Sequence, residues 1–353
     1  TSHDVTEAKL KASRGRFISV FDVKSAFHQI PIRESDRWLT AVVTPIGVVE
    51  FCCVSMGMLN SGREWTRLIE RVLTTISDFT VPYVDDVCVI TETSFGEHLD
   101  HIRQFLTEIR KAGITLNLKK CAFAKPEVVF VGHVVGSGSH RPDESRIEAL
   151  KNLPRSKTKK QLRSAIGSFS FFRSYVPKLA DIAKCLTDLT AKRMPNVLRW
   201  GEKEQIAFDA LKEALCNVHC MHSPVIGRDF VLRCDSSDYA VRACLFQLDE
   251  ENRELPIAYA SQKLTEVQQR WAVIHREAFA VTWALNKWRN LILLSKIHLF
   301  SDHRPLSFLS QTTPKNNSKL IRWSLALQEY DIDFSYVPGK NKCVADMASR
   351  LVE

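Results

Sequence analysis

The 353-residue sequence has no apolar stretch long enough to cross a bilayer, so it offers no membrane-spanning helix. No signal-peptide pattern opens it, and its ten cysteines show no repeated Cys-x-x-Cys frame. Both absences point to free thiols in a reducing compartment rather than to a disulfide scaffold. The cluster Cys216, His219, Cys220 and His222 lacks a second ligand pair at finger spacing, and reads as packed side chains rather than a zinc site. Internal repeats and low-complexity tracts are missing too. Acid is in short supply: 49 Lys and Arg face 40 Asp and Glu, a formal net charge of +9. The basic residues are spread along the chain rather than gathered in a tail, which suits a polyanion bound along an extended track. The length exceeds what one core usually fills, so two domains are expected.

The most informative segment that is present is Tyr83-Val84-Asp85-Asp86, set between Thr80-Val81-Pro82 and the apolar run Val87-Cys88-Val89-Ile90. This pattern predicts a tight hairpin with two adjacent carboxylates at its tip. Asp is common in turns for backbone reasons alone. A third acid changes the balance: Asp22 closes the apolar strand Phe17-Ile18-Ser19-Val20-Phe21. A lone acid buried after such a strand is costly unless it is paired or ligates a cation.

Around these motifs the pattern runs from strands to helices and back to strands. Ser94 to Glu97 has capping-box spacing before a helix whose expected apolar face is Leu99, Ile102, Leu106 and Ile109, ending near Gly113. Val128 to His133 reads as one strand. Helices are expected from Asp143 to Pro154, from Thr158 to Tyr175 and from Glu202 to about Leu215. Strands return at Asp229 to Cys234, Val241 to Gln247 and Pro256 to Ala260, followed by a long helix from Thr265 to about Trp288 and a strand at Lys296 to Phe300. The order implies two α+β modules joined through a helical segment.

The acidic motifs, in this order, resemble the reverse transcriptase and ribonuclease H region of a gypsy-like long-terminal-repeat retrotransposon Pol polyprotein, over nearly the whole chain. The resemblance implies an α+β right-hand polymerase with palm, partial fingers and helical thumb, followed by an RNase H-like mixed α/β domain. The expected boundaries are 1–135 for partial fingers and palm, 136–190 for the thumb, 191–226 for a connecting linker and 227–353 for the RNase H-like domain. Because the chain opens on Thr1 close to the first motif, it is expected to be a piece of a longer protein whose fingers strands lie upstream.

By the same resemblance, Asp22, Asp85 and Asp86 are the acids of a two-metal polymerase site loaded with Mg2+ or Mn2+, hard ions that prefer oxygen ligands. Lys120, in Leu116-Asn117-Leu118-Lys119-Lys120, falls where the family has a general acid for the pyrophosphate leaving group. Phe27 falls where an aromatic ring excludes a 2′-hydroxyl, with Gln29 and Ile30 continuing the strand. Tyr83, Gly57 and Asn60 fall at nucleotide and template contacts, and Gly132 with His133 at the primer grip. Lys157, Lys159 and Lys160 open the expected thumb helix. The implied partners are an RNA template, a DNA primer, RNA–DNA hybrid and dNTPs, with no membrane. The setting would be cytoplasmic, within a virus-like particle, or nuclear; the oligomeric state is left open.

A second acidic set, Asp235, Glu277, Asp302 and Asp346, resembles the metal ligands of the retrotransposon ribonuclease H, supported by Ser301-Asp302-His303 and by Ala345-Asp346-Met347. Two-metal chemistry would here be turned to hydrolysis. Neither an aspartic-protease motif nor an integrase zinc motif is found. Several positions depart from the family pattern. Ser55-Met56-Gly57-Met58-Leu59-Asn60-Ser61 lacks two prolines usual there, and Trp65 stands where Phe is usual, which is expected to alter packing beside the nascent base pair. Ala240 and Arg242 replace glycines after Asp235, and Lys342 replaces an Asn. These departures favour an alternative: a catalytically impaired or domesticated remnant that keeps nucleic-acid binding.

Overall fold

A computed structural model describes residues 5–218, 220–301 and 318–337. The chain divides into two compact units, Thr1–Asp143 and Glu144–Glu353.

The first unit opens with helix α1 (Val5–Ser13) and strand β1 (Phe17–Asp22), followed by a short hairpin of β2 (Val42–Thr44) and β3 (Gly47–Val49). Helix α2 (Ser61–Val72), strands β4 (Thr80–Tyr83) and β5 (Asp86–Thr91) and helix α3 (Phe95–Lys111) come next. Strand β6 (Ala122–Lys125) completes a four-stranded sheet of order β4-β5-β1-β6. Period-2 alternation splits its apolar residues cleanly. Phe21, Val87 and Val89 pack with Trp65 and Ile69 of α2 and with Phe105 and Ile109 of α3. Ile18, Val20, Cys88 and Ile90 face the other way, toward Ala8 and Ala12 of α1.

The buried face of α3 and the strand expected at 128–133 need correction. Helix α3 buries His98, Phe105 and Ile109 rather than Leu99 and Leu106, which are partly exposed. The reason is polar: the His98 ring bonds the hydroxyls of Ser19 at 2.8 Å and Thr91 at 2.9 Å, which rotates the helix onto that face. The segment 128–133 is not one strand. It folds back on itself as β7 (Val128–Phe130) and β8 (His133–Gly136), with Val131 and Gly132 both at positive φ in the two-residue turn. Such a turn matches strand twist and demands left-handed backbone, which Gly132 adopts freely.

Strand β9 (Ser139–Pro142) follows β8 across a second tight turn, and here a glycine is required by space. Gly136 has φ +153°, and a Cβ built there would stand 2.1 Å from the Pro126 carbonyl oxygen. Gly136→Ala is expected to destabilise the first unit by roughly 3 kcal/mol through backbone strain and overpacking. A urea midpoint unchanged from that of the parent chain would show that the turn simply moves aside.

The second unit begins with helices α4 (Glu144–Lys151), α5 (Lys159–Phe171), α6 (Leu179–Ile182), α7 (Lys184–Leu189) and α8 (Glu202–Cys216). Thr158 caps α5 in a capping box with Gln161, as its spacing predicts, although the helix stops at Phe171 rather than Tyr175. After a two-residue strand β10 (Met221–His222) comes a five-stranded mixed sheet. Its members are β11 (Phe230–Ser236), β12 (Ala240–Leu248), β13 (Glu254–Lys263), β14 (Lys296–Ser301) and β15 (Asp331–Tyr336), in the order β13-β12-β11-β14-β15. The first three pair antiparallel, whereas β14 and β15 run parallel to β11.

Helices cover both faces of this sheet. Phe230, Leu232, Val241, Ala243 and Leu245 pack under α10 (Val273–Lys287), while Val231, Cys244, Phe246 and Tyr259 pack under the α4–α8 layer. The expected single helix from Thr265 is two: α9 (Glu266–Gln269), capped by Thr265 and Gln268, and then α10 after a break at Arg270–Ala272. Short α11 (Arg289–Ile292) and a helix at Ser318–Leu327 complete the described elements.

Candidate active sites

The first site is built by strand register. Asp22 and Asp86 are direct partners at the ends of the adjacent antiparallel strands β1 and β5. They share the parity of Val20 and Cys88, and therefore the sheet face opposite α2 and α3. Like charges directly opposite across a ladder are destabilising, so the fold pays for this pair. Asp85 stands beside it in the two-residue turn between Tyr83 and Asp86, and that turn holds Val84 at φ +50°. A β-branched residue in left-handed backbone is strained, and the strain persists because its surroundings enforce it. The indole Nε1 of Trp65 donates to the Val84 carbonyl at 2.6 Å, and the Asp85 carbonyl accepts from the Val23 amide at 2.8 Å.

Burial and the neighbouring carboxylates raise the proton affinity of the two hairpin acids. Burial, and then the Asp22 charge, push the Asp85 carboxyl above its ordinary value of 3.8; burial, Asp22 and Asp85 do the same to Asp86. Lys120 opposes both shifts, and its ammonium stands 3.4 Å from Asp22 Oδ1 while remaining mostly exposed. Asp85 Oδ1 is buried without a hydrogen-bond partner among the described residues. No three Asp, Glu, His or Cys side chains among the described residues converge closely enough to hold one ion. The donor chemistry is nonetheless that of a hard divalent cation: the carboxylates of Asp22, Asp85 and Asp86 meet at one end of the sheet, one Asp85 oxygen is buried without a hydrogen-bond partner, and Lys120 stands against Asp22.

The other residues singled out in the first unit are distributed as follows. β1 ends at Asp22, and Ser25, at φ 49°, leads into a 3-10 turn (Ala26–Gln29), so Phe27 and Gln29 lie there rather than in continued β structure. Phe27 is half-buried against the α2–α3 core. The Gln29 carboxamide is tied to backbone: it accepts from the Thr115 amide at 2.8 Å and donates to the Thr115 carbonyl at 3.1 Å. Gly57, at φ +95°, is exposed, and exposed Asn60 sits at the N-cap of α2. Tyr83 is half-buried, edge-on to Phe130. Gly132 and the His133 ring are both buried. Trp65 is fully buried, and its indole contacts the acid-bearing hairpin.

The second site is built differently. Asp235 lies near the end of β11, in register with Arg242 of β12. Arg242 Nη1 donates to Asp235 Oδ2 at 2.7 Å. The other edge of the guanidinium donates to both oxygens of Asp181 on α6, at 2.8 and 2.7 Å. Glu277, buried on α10, accepts from the amide and the hydroxyl of Ser236 at 3.1 and 2.7 Å. Asp302 and Asp346 lie outside the described residues. Arg242 was visible in the sequence as a departure. Asp181 was not, because a partner 61 residues away leaves no local pattern.

Comparison with known proteins agrees with this layout. Residues 2–135 match the family described as reverse transcriptase (RNA-dependent DNA polymerase), and residues 226–330 match the RNase H-like domain found in reverse transcriptase. The retrovirus-related Pol polyprotein from transposon opus of Drosophila melanogaster is 30% identical over 99% of this chain and 36% of its own length. The transposon Tf2-3 polyprotein of Schizosaccharomyces pombe is 27% identical over 98% of this chain and 26% of its own length. The chain thus spans about a third of the curated relatives it matches. Among solved structures, the foamy viral protease-reverse transcriptase in complex with RNA/DNA hybrid superposes with a TM-score of 0.82 at 23% identity, over 98% of this chain and 47% of that one. That likeness establishes the fold: an α+β reverse transcriptase architecture followed by an RNase H-like domain. The chain belongs, by these matches and by the order of its two regions, to the reverse transcriptase and RNase H segment of the retrotransposon Pol polyproteins.

Proposed function

We propose that the first unit performs RNA-directed DNA synthesis, extending a DNA primer on an RNA template from dNTPs at Asp22, Asp85 and Asp86. The observation that carries this reading is the direct opposition of Asp22 and Asp86 at one end of the sheet, with a buried and unpartnered Asp85 oxygen beside them. Nothing in packing rewards that arrangement; a bound cation would. Mg2+ or Mn2+, when bound, supplies charge stabilisation of the attacking and leaving oxygens of an in-line displacement. Asp22 and Asp85 would hold it, and Asp86 would complete the acidic rim. Lys120 would leave Asp22 and turn its proton toward the pyrophosphate. The formal net charge of +9 favours duplex phosphates as the partner surface. The proposed extents are palm and partial fingers to 135, thumb to 190 and a linker to 226, ahead of the RNase H-like domain. For that domain the family's chemistry is cleavage of RNA in a hybrid, by Asp235, Glu277, Asp302 and Asp346. A specific observation, the Arg242–Asp235 ion pair, favours the impaired reading for this second site.

The test is primer extension on an RNA template with Mg2+ or Mn2+, paired with a nucleotide-selection assay. Phe27→Ala should admit ribonucleotides, narrowing discrimination by about tenfold or more if the ring excludes a hydroxyl, since one excluded group is worth about 1–3 kcal/mol. Failure of the parent chain to extend any primer removes the polymerase reading. Unchanged discrimination in Phe27→Ala demotes Phe27 to core packing.

A further inference from the structure

Asp235 already has a cation. The Arg242 guanidinium lies in the ladder position opposite it and donates to it at 2.7 Å, with all three members of the Asp181–Arg242–Asp235 group about three-quarters buried or more. Arg242 cannot swing away freely, because its Nε and Nη2 are tied by a two-pronged bond to Asp181. Forked Arg–carboxylate pairs of this kind are the strong, geometrically specific ones. Asp181 is itself held: the neighbouring Ala180 amide donates to Ser261 Oγ on β13 at 3.0 Å, and Lys263 pairs with Asp188 of α7 at 2.5 Å. The α6–α7 segment is therefore fastened to β13, and through Asp181 it fixes the arginine over β11.

We infer that Arg242, anchored by Asp181, is the resident counter-cation of Asp235 and excludes divalent metal from it, leaving the RNase H-like domain folded but silent as a nuclease. Charge and geometry both enforce the exclusion. A divalent ion at Asp235 would meet a fixed positive charge within hydrogen-bond reach, and a guanidinium does not lose its proton to relieve the clash. Withdrawing Arg242 would strand two largely buried carboxylates, and breaking a buried pair by removing one partner is the costly direction. Glu277 does not offer an alternative centre by itself, since one of its oxygens is committed to Ser236. The residues of this second site thus do not fit a loaded metal centre in the way those of the first site do.

The inference rests on reading Asp235 as the metal-binding acid of the RNase H-like domain, and the experiment separates the two. Mn2+ binding to the full chain is measured by calorimetry and by the loss of free-Mn2+ paramagnetic signal, alongside cleavage of an RNA–DNA hybrid. Arg242→Gly, Arg242→Gln and Asp181→Asn are compared with the parent, each checked for folding by its thermal transition. The parent should bind Mn2+ only at the first site and leave the hybrid intact. Arg242→Gly should gain at least one further Mn2+, lost again in Arg242→Gly/Asp235→Asn, and cleavage should rise about tenfold or more, the effect of about 1.4 kcal/mol. Arg242→Gln keeps the bulk without the charge and should gain Mn2+ as well, while Asp181→Asn should give a partial gain. If the parent binds as many Mn2+ ions as Arg242→Gly, or cleaves as fast, the inference is wrong. If Arg242→Gly gains an Asp235-dependent ion without cleaving, the lock is upheld and the nuclease reading of the domain falls.

Discussion

Asp85→Asn should abolish nucleotide addition, by roughly a hundred- to a thousandfold or more, while raising rather than lowering the thermal stability of the metal-free protein. The first effect follows from removing charge that acts on the transition state, where single electrostatic contacts are worth about 10²–10³ in rate. Primer-template affinity should hold, because phosphate contacts elsewhere dominate it. The second effect follows from the sign of the proton linkage. Burial and Asp22 raise the Asp85 carboxyl above 3.8, so folding favours its protonated form. Its favourable contribution is complete below 3.8 and disappears as pH rises through the raised value, leaving a penalty at neutral pH. An uncharged Asn escapes that penalty. Mg2+ should stabilise the parent chain and do so less in the variant, since a ligand bound only to the native state adds about 2.7 kcal/mol at a hundredfold excess over its dissociation constant. Primer extension, filter binding and melting curves with and without Mg2+ decide the matter together. A variant that loses template binding and melts earlier would mean that Asp85 is structural.

The parts of this protein written in short-range patterns were legible before any coordinates. The hairpin at Tyr83–Asp86 needed only its two-residue polar break to be seen, whereas the opposition of Asp22 and Asp86 comes from the register of β1 and β5. The helix starts expected at Thr158 and Thr265 are the caps of α5 and α9. What failed was set by partners distant in sequence. The α3 face was misjudged because an apolar count cannot know that Ser19 and Thr91 wait for His98. The 128–133 run looked like one strand because a valine at positive φ is invisible to propensity. At the second site, the sequence marks Arg242 only as an arginine standing where a glycine is usual. The structure gives it a role, set by Asp181 across the helical layer.

Trp65 illustrates the same point with an outcome large enough to measure. As a residue standing where Phe is usual, it reads as a weakness of the polymerase site. In the fold it is fully buried, and its indole is the donor that pins the Val84 carbonyl, the strained residue immediately before Asp85. Trp65→Ala should cost about 3–5 kcal/mol of stability, the usual range for emptying a large aromatic from a core. Trp65→Phe is the more informative change, because it keeps a six-membered ring in the core while removing the Nε1 donor with the rest of the indole. Leaving a buried carbonyl without its partner costs about 1–3 kcal/mol, and the hairpin tip can recover part of that only by moving. Turnover should therefore fall by about tenfold or more while KM for dNTP and template affinity change little, as expected for displaced acids rather than lost binding. Val84→Gly should then restore turnover in the Trp65→Phe background, since glycine holds positive φ without an external clamp. If Trp65→Phe keeps full turnover, the indole bond does not position the acids, and the strain at Val84 is borne by the strands alone.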